Sequence, residues 1–89
     1  MEIVKIENAP MGHIVDLFGK KFLVDSREVG AGKFETMVFA TEGKKSWVHK
    51  YQGYSWNWAD PILEITYRNE YEMVKMHKHI LDHFEEMIW

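Results

Sequence analysis

Eighty-nine residues fit one domain around one core, because a second core would need more chain. An apolar share of 46% beside 28% charged residues excludes disordered, collagen-like and low-complexity sequence. A net charge of −3 speaks against general nucleic-acid binding, which needs a basic excess or stripe. The charge is also uneven: residues 1–53 hold eight basic and seven acidic groups, residues 54–89 three and seven. With no cysteine there is no disulfide framework, thiolate nucleophile or Cys-based zinc site. Glu2 follows Met1 at once and no apolar run nears the roughly 18 residues of a membrane span, so the expectation is a soluble, cytoplasmic protein without a membrane partner. A chain of this size buries only about 60 to 65% of its surface on folding, which keeps a homodimer or higher homo-oligomer open as a source of stability.

Ile3–Ile6 is a short β-branched run ended by Asn8, Pro10 and Gly12, and reads as a strand and a turn. His13–Phe18 and Lys21–Asp25 flank Gly19-Lys20, where glycine at the first loop position predicts a type II′ hairpin. Ser26–Gly32, with two glycines, reads as a loop, and Lys33–Thr41 nearly alternates as a strand should. Glu42–Lys45 predicts a turn, Ser46–Gln52 a partner strand, Tyr54–Asp60 a polar and aromatic loop, and Ile62–Tyr67 one more strand.

From Asn69 the period becomes that of a helix, with Asn69 as N-cap and Glu70 and Glu72 in the first turn. Met73, Met76, Ile80, Leu81, Phe84, Met87 and Ile88 share one face, and Glu72, Lys75, Lys78, His79, Asp82, His83 and Glu86 the other. Such a stripe needs a sheet to bury against. The fold class expected is therefore α+β: an antiparallel meander of four or five strands with one C-terminal amphipathic helix packed on it, a single domain over 1–89.

Gly30-Ala31-Gly32-Lys33 is not a phosphate loop, because that motif needs Gly where Arg27 stands and Ser or Thr where Phe34 stands. No spacing in the chain sets a nucleophile, base and orienting group together, so no catalytic residue and no cofactor are expected. His79 and His83, four apart on the polar helix face with Glu86 beyond, are the weak candidates for a metal site; solvated side chains are the plainer reading. His77 differs, lying within the apolar stripe, where an unpartnered imidazole costs about 1 to 3 kcal/mol. It is expected either to find a buried hydrogen-bond partner or to touch a ligand. Trp47, Tyr51, Tyr54, Trp56 and Trp58 fall within twelve residues, and a small core does not absorb all five. Exposed rings anchor partners and stack on nucleobases, and Lys44, Lys45 and Lys50 stand ready for phosphates.

The run Phe34-Glu35-Thr36-Met37-Val38-Phe39, with Trp47 and Tyr51 after it and Glu72-Met73 five and four residues before His77, resembles small uncharacterised proteins of phages and prophages of Gram-positive bacteria. The pattern there is an E-T-M-V-F strand, a Trp-bearing strand and a short acidic helix with a His; Glu35 to Phe39 and His77 match it, within residues 34–80. This sequence departs from it by inserting Tyr54–Pro61 before the helix. The resemblance implies a non-enzymatic binding protein in a bacterial host cell, a counter-defence factor that meets a host protein or sequesters a nucleotide-like signalling ligand. The site would be Trp47, Tyr51, Tyr54, Trp56, Trp58, Lys44, Lys45, Lys50 and His77. Two other readings stand beside it: a metal-dependent or acid/base enzyme using His79, His83 and Glu86, and an assembly subunit that oligomerises through the C-terminal helix.

Overall fold

The computed structural model describes residues 1–7, 11–45, 54–56 and 60–88, with 41–45 and 54–56 described as strand backbone. The fold is α+β: an antiparallel sheet with a C-terminal helix packed on one face. Its strands are β1 (Glu2–Lys5), β2 (Met11–Leu17), β3 (Lys20–Gly30), β4 (Lys33–Lys45), β5 (Tyr54–Trp56) and β6 (Leu63–Tyr67), followed by helices α1 (Glu70–Asp82) and α2 (Phe84–Ile88). The order β1-β2-β3-β4-β5 is the expected meander. β6 departs from it by pairing with the first half of β4, Val38 opposite Leu63 through Phe34 opposite Tyr67.

The β2–β3 turn falls on Phe18-Gly19, one residue earlier than expected. Both residues have positive φ, 53° and 85°, so the turn has the paired left-handed geometry of type I′ in place of II′. Asp16 decides the register: its Oδ1 accepts from the Gly19 N–H at 2.9 Å and its Oδ2 from Lys21 Nζ at 2.8 Å. The Lys21 ammonium holds the Asp16 carboxyl below the usual carboxylate range.

The segment 26–32, expected as a loop, is mostly strand. β3 runs on to Gly30 and turns over Ala31-Gly32, with Gly32 at φ 72° and a register shift between Glu28 and Gly30 that leaves Val29 as the extra, exposed residue. The turn expected at Glu42–Lys45 is likewise strand. β4 continues to Lys45 because β5 supplies a backbone partner, and the glycine there sits where the register shifts between Thr41 and Lys45. Tyr54–Trp56, expected as loop, is that partner. The strand expected over 46–52 lies outside the described residues.

Register fixes what each sheet face carries. Val15, Leu17, Phe22, Val24 and Val38 turn toward the helices and pack with Ile80 and Phe84, all at 0 to 3% exposure. Phe84 meets Phe22 with ring centroids 5.1 Å apart. The opposite face carries a second buried cluster of Ile6, Ile14, Leu23 and Phe39. Asn69 caps α1 as its sequence demands, Oδ1 accepting from the Glu72 N–H at 2.9 Å. The helix expected to run unbroken to Ile88 breaks at His83, whose N–H still bonds the His79 carbonyl at 3.0 Å. The break re-aims the last turn: Phe84 is buried, whereas Met87, expected on the apolar stripe, is 39% exposed.

Candidate functional site

Under α1 a line of polar side chains crosses the sheet. Ser26 and Thr36 are direct register partners on β3 and β4, and alternation turns both toward the helix, where their hydroxyls lie 2.5 Å apart. Tyr67, diagonal to Thr36 across the β4–β6 ladder, donates its hydroxyl to Thr36 Oγ1 at 3.0 Å. His77 comes down from α1, with Nδ1 2.6 Å from Ser26 Oγ and Nε2 2.8 Å from His13 Nδ1 on β2. The expectation that His77 finds a buried partner is met by Ser26, and half-buried His13 takes the other ring nitrogen.

One ordering of hydrogens uses every proton of the line: Tyr67 donates to Thr36, Thr36 to Ser26, Ser26 to His77 Nδ1, and His77 Nε2–H to His13. This tautomer is assigned from the network, and such head-to-tail chains strengthen one another. Burial, with His13 and Lys5 adding to it, pushes the His77 imidazole down to about 4. Burial first and Lys5 second also lower His13. Burial raises the Tyr67 phenol, against the hydrogen bond to Thr36.

Ser26, His77 and His13 form the hydroxyl–imidazole–imidazole line that nucleophilic catalysis employs. Two facts set it against that use. Ser26 is 1% exposed and already bonded to Thr36, and an imidazole held near 4 is a weak base at neutral pH. The line docks α1 onto the sheet by satisfying polar groups that burial would otherwise strand. A concavity of about 580 Å³ opens beside Ser26, at the middle of the line, with Met11, Glu28, Phe34, Glu70 and Met73 also among its walls.

Sequence reading missed His13, Ser26, Thr36 and Tyr67 as partners of His77. The signal was present but hidden: once 26–32 is taken as a hairpin turning at Ala31-Gly32, Ser26 and Thr36 fall opposite each other. A loop assignment gives Ser26 no facing strand.

The other expected site residues divide into two groups. Lys44, Lys45, Tyr54 and Trp56 lie on the ribbon of β4 and β5, with Lys45 opposite Tyr54 and Thr41 opposite Trp56. Trp47, Lys50, Tyr51 and Trp58 lie outside the described residues. His77 is on the buried line and away from that ribbon's register. His79 and His83 come together on the exposed helix face, ring centroids 4.5 Å apart, and His83 Nδ1 is 3.5 Å from Glu86 Oε2. Among the described residues, no three His, Asp or Glu side chains converge on a common ion position. No helix among them is long and apolar enough to cross a membrane. No protein family matches the chain, and no curated protein or solved structure proves similar to it.

Proposed function

We propose that the chain is a non-enzymatic binding protein of phage or prophage type, a counter-defence factor that takes a nucleotide-like ligand through its basic and aromatic ribbon. One observation carries the reading. Beyond Ala40, where pairing with β3 ends, β4 runs five residues further with β5 as its partner, and register sets Lys45 opposite Tyr54 there. Trp47, Lys50 and Tyr51 belong to the connection between these strands, and Trp58 follows β5 by two residues. Lysines and ring-bearing residues thus belong to one short stretch, the combination that holds a planar base by stacking and its phosphate by charge.

The experiment is titration of the protein with a panel of linear and cyclic nucleotides, followed by tryptophan fluorescence and calorimetry, alongside Trp56→Ala/Trp58→Ala. Loss of two stacking rings at about 1 to 3 kcal/mol each weakens binding by a factor on the order of 100 or more while the fold persists. Unchanged affinity in the double variant refutes the site. If no nucleotide binds, the same ribbon is to be tested against a host protein, the partner that exposed Trp and Tyr also fit.

A further inference from the structure

Three strands, β1, β5 and β6, present an outer edge that no other described strand pairs. Such edges invite another chain, and sheets blunt them with short strands, Lys, Pro or bulges. β1 and β5 are blunted: β1 has four residues and ends in Lys5, and β5 has three residues whose register with β4 is broken by a shift. β6 is not. Leu63-Glu64-Ile65-Thr66-Tyr67 contains no Lys or Pro, and its register with β4 runs unbroken over five pairs.

We propose that β6 is the surface through which two copies of this chain join, antiparallel, about a two-fold axis at Thr66, so that one sheet runs through both. An axis normal to the sheet keeps every side chain on its own face, so facing residues must have positions that sum to an even number. Centred on Thr66, the pairing sets Thr66 opposite its own copy, Ile65 opposite Tyr67 and Glu64 opposite Arg68, each twice by symmetry except the first. All three are favourable cross-strand pairs: hydroxyl with hydroxyl, aliphatic with aromatic, acid with base. Centred on Glu64, the same edge would oppose two carboxylates. β1 has no comparable register, since its even-sum pairings put Glu2 opposite Val4 or Ile3 opposite Lys5. Glu64, Thr66 and Arg68 are exposed and Ile65 and Tyr67 half-buried, which leaves side chains available on both faces of the edge. Beside this edge a groove of about 400 Å³ runs between Tyr67 and Glu72, Lys75, Met76 and His79 of α1. Its walls mix acid and base, as a surface that meets its own copy requires. The interface is separate from the β4–β5 ribbon, so dimer and ligand binding stand or fall independently.

The test is sedimentation equilibrium of the full chain from about 10 µM to about 500 µM, a range that reveals weak self-association by mass action. The wild type should approach twice its 10.6 kDa mass. Glu64→Lys opposes two like charges twice and should weaken the dimer roughly tenfold or more, while Glu64→Lys/Arg68→Glu restores it. Ile3→Lys on β1 should leave it unchanged. A monomer throughout the range, a dimer indifferent to Glu64→Lys, failure of the charge swap to restore it, or loss through Ile3→Lys would each overturn the proposal. Far-UV circular dichroism of each variant confirms that the changes, all at exposed positions, leave the fold in place.

Discussion

Ser26→Ala removes the one hydroxyl among the described residues that joins the helix to the strands beneath it. Ser26 Oγ lies 2.6 Å from His77 Nδ1 and 2.5 Å from Thr36 Oγ1, at 1% exposure, so its loss takes a partner from each of two buried groups. Each stranded group costs about 1 to 3 kcal/mol, and since His77 keeps His13 and Thr36 keeps Tyr67, the sum falls near 2 to 4 kcal/mol. Unfolding entropy of about 2 cal/mol/K per residue turns each kcal/mol into roughly 5 °C for a chain of this length, so Tm should drop by roughly 10 to 20 °C. Thermal unfolding followed by far-UV circular dichroism measures this. Thr36→Val added to Ser26→Ala should cost less than the two separate effects together by about 1 kcal/mol, because the first change has already broken their shared bond. A drop within about 2 °C, or strict additivity, would refute the view that this line holds α1 in place.

The His77 imidazole, held down to about 4 by burial, refuses a proton that the unfolded chain accepts near 6.5. This group's contribution is therefore complete above about pH 6.5 and lost as pH falls toward 4, by on the order of 3 kcal/mol. His13 acts in the same direction, and buried Asp25, raised by desolvation against its Arg27 partner, acts in the opposite one. Urea midpoints that stay level from pH 7.5 to 4.5 would contradict this. Phe18 is 72% exposed and sits at φ 53°, a conformation that Asn tolerates better, so Phe18→Asn should stabilise by about 0.5 to 1 kcal/mol in urea unfolding. Phe84→Ala deletes a ring at 0% exposure that packs on Phe22, and should destabilise by about 3 to 5 kcal/mol in the same assay.

Much of the architecture was legible because it rests on local chemistry. Asn69 with Glu72 marked the helix start, and the spacing of Met73, Ile80 and Phe84 marked the face that the sheet covers. What stayed hidden depended on partners far away in sequence. The glycines at 30, 32 and 43 looked like loop punctuation, whereas Gly32 makes a tight turn and the segment around 43 carries a register shift inside a long strand. Type I′ rather than II′ geometry at Phe18-Gly19 turns on Asp16 and Lys21 meeting across the ladder, which no single-residue preference reports. The polar line needed four strands and a helix to be placed before His13, Ser26, Thr36 and Tyr67 could be seen to meet His77. The histidine's position in an apolar stripe announced that partners must exist, and the register supplied their names.

The proposed function puts a nucleotide-like ligand on the ribbon of β4 and β5. Native mass spectrometry of the gently purified protein, alone and mixed with linear and cyclic nucleotides, tests it most directly. The expected result is a stoichiometric nucleotide adduct that is absent from Trp56→Ala/Trp58→Ala. A protein that carries no added mass with any nucleotide, or an adduct that survives in the double variant, would contradict it.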